Sequence, residues 1–92
     1  MAPARRKYME ELLLLRKEHG WSLGQLSDVS NLDRSYLNKL ERGERLGDIA
    51  TARQLDKVYG TKRAIQNLWH LAKDDVNLGR YLRNMQIGRA HV

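Results

Sequence analysis

Ser22-Leu-Gly-Gln-Leu-Ser-Asp-Val-Ser-Asn-Leu-Asp-Arg-Ser-Tyr-Leu-Asn-Lys-Leu-Glu-Arg-Gly43 is the stretch that decides how this chain folds. It holds two short apolar patterns separated by a turn signal. Ser22 is a good N-cap, because its hydroxyl accepts a hydrogen bond from an amide that lacks a partner in the first helical turn. Leu26 and Val29 follow three residues apart, which predicts one shared helix face. Ser30-Asn31 interrupts the pattern, and Asn tolerates the left-handed conformation that a sharp turn needs. Asp33 is suited to cap a second helix, whose Leu37 and Leu40 are again three apart. Gly43 supplies the stop. Between the leucines stand Arg34, Ser35, Asn38, Lys39 and Arg42. Every one donates hydrogen bonds and three are cationic, so this face suits a polyanion.

These residues resemble the helix-turn-helix of the lambda-repressor/Cro-like (xenobiotic-response-element, XRE) transcription regulators. That family's Arg-x-x-x-Gly at the end of the first helix is matched by Arg16 and Gly20. Its turn-and-recognition pattern, ending in Tyr-Leu-x-x-Leu-Glu-Arg-Gly, is matched from Asn31 to Gly43. The likeness covers about residues 10 to 72. It implies an all-α fold, a compact five-helix DNA-binding domain whose third helix docks in the major groove of double-stranded DNA. It places Arg34, Ser35, Asn38 and Lys39 toward the bases. Arg34 is the strongest reader, since a guanidinium fork matches guanine O6 and N7. Ser22, Arg42 and Arg45 are expected on phosphates, aided by amides at the start of the second helix. Tyr36 either contacts the DNA backbone with them or packs. Arg16 and Glu41 are expected to form a partly buried ion pair tying the first helix to the third. Family members usually bind pseudo-palindromes as homodimers, and a repressor role is the expected one. Two positions depart from the pattern. Leu23 stands where the family often has Gln reaching DNA, and Ser27 where it has a small Ala.

Composition sets the bounds around this. Ninety-two residues make one small domain. A formal charge of +6 and a pI near 10.0 favour an anionic partner, nucleic acid or membrane surface. With no Cys there is no disulfide framework, thiolate metal site or Cys nucleophile. No apolar run approaches the roughly 20 residues that span a bilayer. The Arg5-Arg6-Lys7 start lacks the apolar region of a signal peptide. A cytoplasmic protein is expected.

Along the chain, residues 1 to 6 read as a frayed basic arm, either solvated or following DNA. A first helix is predicted from about Lys7 to His19, with Tyr8, Leu12 and Leu15 in the core. Leu13 and Leu14 cannot both share that face, so at least one is partly exposed or at an interface. Trp21 is expected at the core rather than stacked on a base. Asp48 caps a fourth helix, about Ile49 to Tyr59, which Gly60 ends. Thr61 is predicted to cap a fifth, about Lys62 to Asp74, with Ile65, Leu68, Trp69 and Ala72 on one face. The fifth helix with Trp69 is a dimer surface, or Trp69 is simply core.

Residues 1–75 are therefore expected to form the helix-turn-helix domain, with residues 76–92 a C-terminal extension carrying a sixth short helix from about Asn77 to Met85. The ending Ile87-Gly-Arg-Ala-His-Val92 equals one frame of a common sequencing-adapter oligonucleotide. The natural frame is thus expected to have been cut near Met85 or Gln86. Resembling actinobacterial regulators continue there into a larger domain.

Catalysis is not expected. His19, His70 and His91 lack metal-ligand spacing, Asp74-Asp75 point apart on a helix, and no Gly-rich phosphate loop occurs. No cofactor or metal is called for. The alternative from another class is an antitoxin-like module that binds its own operator and holds a protein partner through residues 76 to 86. RNA binding lacks the exposed aromatic platforms that stack unpaired bases.

Overall fold

The computed structural model describes residues 3–74, and among them all regular structure is helical. The helices are α1 (Pro3–Glu18), α2 (Leu23–Ser30), α3 (Arg34–Glu41), α4 (Ile49–Tyr59) and α5 (64–74, where the described residues end). The all-α, five-helix expectation therefore stands. The predicted sixth helix, the adapter-like ending and the antitoxin-type binding element lie outside the described residues.

Local chemistry sets most of the boundaries. Ser22 accepts from the Gln25 amide at 3.1 Å, and Gln25 Oε1 accepts from the Ser22 amide at 2.8 Å, a reciprocal capping box. Asn31 closes α2 in the left-handed region (φ 59°). Asp33 caps α3 through the Tyr36 amide, and Asp48 caps α4 through the Thr51 amide at 2.8 Å. That bond holds the Asp48 carboxyl below its ordinary range. Gly60 ends α4 with φ 67°.

The core gathers Tyr8, Leu12 and Leu15 of α1, Leu26 of α2, and Leu37 and Leu40 of α3. Ala52, Leu55 and Tyr59 of α4, with Ile65, Trp69 and Ala72 of α5, complete it. Trp21 packs against this cluster and stacks on Tyr59, with ring centroids 5.8 Å apart. Burial pushes the Tyr8 and Tyr59 hydroxyls well above the usual phenol range.

Three expectations need correction. Residues 3–6 are not an arm, because α1 begins at Pro3. Proline's fixed φ suits a first helical position, and Arg5 Nη2 reaches the Gly43 carbonyl at 3.4 Å. On α2, Val29 is exposed and Ser30 is buried instead. A four-residue step from Leu26 stays closer to the buried face than the three-residue step does when neighbours lie on that side. Finally, Thr61 does not cap α5. Asp56, buried on α4, accepts from the Ile65 amide (2.9 Å), the Gln66 amide (3.0 Å), Gln66 Nε2 (3.1 Å) and the Thr61 hydroxyl (2.5 Å). Helix α5 is thus capped by a side chain from its neighbour.

Candidate nucleic-acid interface

At 100° per residue, Arg34, Asn38, Arg42, Ser35 and Lys39 fall within an arc of about 140° on α3. Leu37 and Leu40 occupy the opposite side, Glu41 lies at the edge beside Arg34, and all three are buried. Arg34, Ser35, Lys39 and Arg42 are exposed, and Asn38 is half-buried. The structure thus brings the four residues predicted to face bases onto one solvent-facing strip. Eight residues give a rod about 12 Å long, close to the width of a major groove.

That rod is held from three sides. From behind, Arg16 of α1 directs Nε between both Glu41 carboxylate oxygens, at 2.8 and 3.0 Å. Its Nη1 donates to the Trp21 carbonyl at 3.0 Å. The guanidinium therefore divides itself between a carboxylate and the end of α1, rather than forking on the carboxylate alone. The hydrogen bond to Glu41 raises the Arg16 pKa further. From the turn, Ser27 Oγ donates to the Leu32 carbonyl at 2.6 Å, and the Leu32 amide donates to Ser30 Oγ at 3.2 Å. The hydroxyl that Ser27 carries in place of the family's Ala methyl thus braces the α2–α3 turn. Gln54 Nε2 adds a bond to the Ser30 carbonyl at 3.0 Å from α4.

The third side is the connection after α3, residues 42–48. Arg5 donates to its Gly43 carbonyl, and Trp69 Nε1 donates to its Gly47 carbonyl at 3.2 Å. Trp69 is buried, so of its two readings the structure gives the core. Gly47 is left-handed (φ 76°), and a Cβ there would sit 2.5 Å from the Tyr36 hydroxyl. Only glycine fits that position. Tyr36 Oη lies 3.0 Å from Thr51 Oγ1 and its ring packs on the core, so the packing reading describes it. Its hydroxyl is engaged inside the fold.

The residues expected on phosphates stand around the strip. Ser22 is exposed, and its cap uses the hydroxyl oxygen as acceptor, which leaves the O–H to donate. Arg45 is exposed. Arg42 Nε lies 3.4 Å from Glu44 Oε2 on the surface, a pair open enough to exchange in water. Leu23 packs partly against the core and supplies no polar reach. Sequence reasoning missed Asp56, Gly47, Thr51 and Arg5 as supports of this surface, since each acts across the fold. Among the described residues no cluster of three or more potential metal ligands occurs, and no helix is long and apolar enough to cross a membrane.

A family model described as helix-turn-helix matches residues 12–65, more than half of the chain. No curated protein and no solved structure matches it. The chain belongs to this helix-turn-helix family, in agreement with its resemblance to the lambda-repressor-like XRE regulators. At the family level it is a DNA-binding transcription regulator with DNA as its partner, and the family is not an enzymatic one.

Proposed function

We propose that this chain binds double-stranded DNA sequence-specifically as a transcriptional repressor in the cytoplasm, with α3 lying in the major groove. The observation that carries the reading is the donor strip on α3, held by the Arg16–Glu41 pair behind it and the braced connection 42–48 beyond it. Arg34 reads a guanine through O6 and N7, while Ser35, Asn38 and Lys39 meet neighbouring base edges. Ser22, Arg42 and Arg45 hold phosphates and set the register. First-turn amides of α2, which have no partner within the helix, add to this. One such domain covers only a few base pairs, so two copies on half-sites about one helical turn apart complete the reading.

Selection of bound duplexes from a random pool tests it directly. A recovered half-site with fixed spacing is the expected result; a pool that stays random would sink it. Two variants separate the roles. Arg34→Ala is expected to lower discrimination between the selected and random duplexes by about 1–3 kcal/mol, the worth of one bidentate base contact. Equal weakening on both duplexes would show that Arg34 does not read sequence. Arg42→Ala is expected to weaken all duplexes alike and to reduce the slope of log affinity against log salt by about one. An unchanged slope would remove Arg42 from the phosphate contacts. Because Glu44 competes for Arg42 in the free protein, Glu44→Gln is the matching variant and strengthens binding to every duplex.

A further inference from the structure

The outer face of α1 is not used by the core or by the DNA strip. Leu14 is 50 % exposed and Leu13 is half-buried, and Glu10 and Lys17 border them in one shallow depression. Residues 10, 13, 14 and 17 recur as i, i+3, i+4 and i+7, so they form one continuous stripe opposite the buried Tyr8, Leu12 and Leu15. The stripe is symmetric about its midpoint between Leu13 and Leu14. Glu10 and Lys17 stand equally far from that midpoint, on the centre line, with opposite charge. Neither has a salt-bridge partner within the described residues.

We infer that this face is a docking surface for a second copy of the same chain, with the two α1 helices antiparallel across a two-fold axis. A two-fold at that midpoint sets Leu13 on its own symmetry mate and Leu14 on its own. It sets Glu10 of each copy against Lys17 of the other, twice. An isologous patch must be self-complementary in this sense. A parallel pairing would instead oppose like charges. Four residues a side fall well short of the ~800 Å² per partner of a standard interface, so the association is weak. The surface is separate from α5, which the sequence suggested for dimerisation. It does not depend on the DNA reading, because its test is run without DNA.

The chain contains no Cys, so an introduced thiol is the sole one. In the antiparallel pair, residue 10 faces residue 17 of the other copy. Two copies of residue 10 stand about 10 Å apart along the axis, beyond disulfide reach. A concentrated equimolar mixture of Glu10→Cys and Lys17→Cys under mild oxidation is expected to give the mixed disulfide dimer, with little dimer from either variant alone. Equal crosslinking in all three samples, or none in the mixture, overturns the proposal. Charge reversal supplies a second reading by sedimentation at high concentration. Glu10→Lys and Lys17→Glu should each be monomeric, and the double variant, or the two singles mixed, should recover the dimer. Dimerisation that ignores these charges, or a wild-type chain monomeric at every concentration, also overturns it. Both positions are at the surface, and circular dichroism of each variant checks that it is folded.

Discussion

Asp56→Ala is expected to destabilise the domain by about 3–5 kcal/mol, since buried donors left without an acceptor cost about 1–3 kcal/mol each and water reaches some of them. The carboxylate is 2 % exposed and serves four donors, two of them the opening amides of α5. A domain of this size has only about 5–10 kcal/mol to lose. The loss would extend beyond the cap. Helix α5 carries Ile65, Trp69 and Ala72 into the core, and Trp69 holds the Gly47 carbonyl. Freed at its start, α5 would release the connection 42–48 that follows α3. Urea titration followed by circular dichroism reads the change. Asp56→Asn keeps one acceptor oxygen and should fall between wild type and Ala. A variant that unfolds at the wild-type urea concentration would mean that α5 is held by its apolar face alone.

The same residue marks where sequence reading ended. Ser22, Asn31, Asp33, Asp48 and Gly60 each act on a backbone group within a few residues, so their roles follow from local chemistry. Asp56 reaches an amide nine residues on, in the next helix, and only the packing of α4 on α5 brings them together. Thr61 offered the nearer cap signal, and its hydroxyl is instead a donor to Asp56. The start of α1 was obscured for a similar reason: residues 1 to 6, with Arg5-Arg6, read as a basic arm until Gly43 is seen within reach of Arg5. On α2 the pairing of Leu26 with Val29 ignored which way the neighbours lie, and Ser30 took the buried place because Leu32 and Gln54 satisfy its polar groups. The α3 strip, by contrast, follows from helical periodicity once Leu37 and Leu40 are assigned to the core. Tyr36 stayed undecided because its neighbour Thr51 is fifteen residues away.

Arg16→Ala is expected to cost about 3 kcal/mol, the low end for breaking a buried ion pair from one side. Glu41 is the deeper partner, with 7 % of its side chain exposed against 18 % for Arg16. Removing the guanidinium therefore leaves an unpaired carboxylate among Leu12, Leu37 and Leu40, and it also strips the Trp21 carbonyl of its donor. Removing Glu41 is milder, because Arg16 is nearer water and keeps Trp21. The sharper expectation concerns the pair. Arg16→Ala with Glu41→Ala should be more stable than Arg16→Ala alone, since the second change removes the stranded charge. If the double variant instead loses, relative to wild type, the sum of the two single losses, the two side chains are uncoupled and the ion pair does not hold α3. Replacing both by apolar residues of similar volume, Arg16→Met with Glu41→Leu, should restore stability to near the wild-type value. That variant isolates what the pair gives to function. A well-packed Met and Leu can keep α3 against α1 without fixing its rotation through directed hydrogen bonds. Stability that returns while discrimination between duplexes stays weakened would assign the Arg16–Glu41 pair to the presentation of Arg34, Ser35 and Lys39 rather than to folding as such.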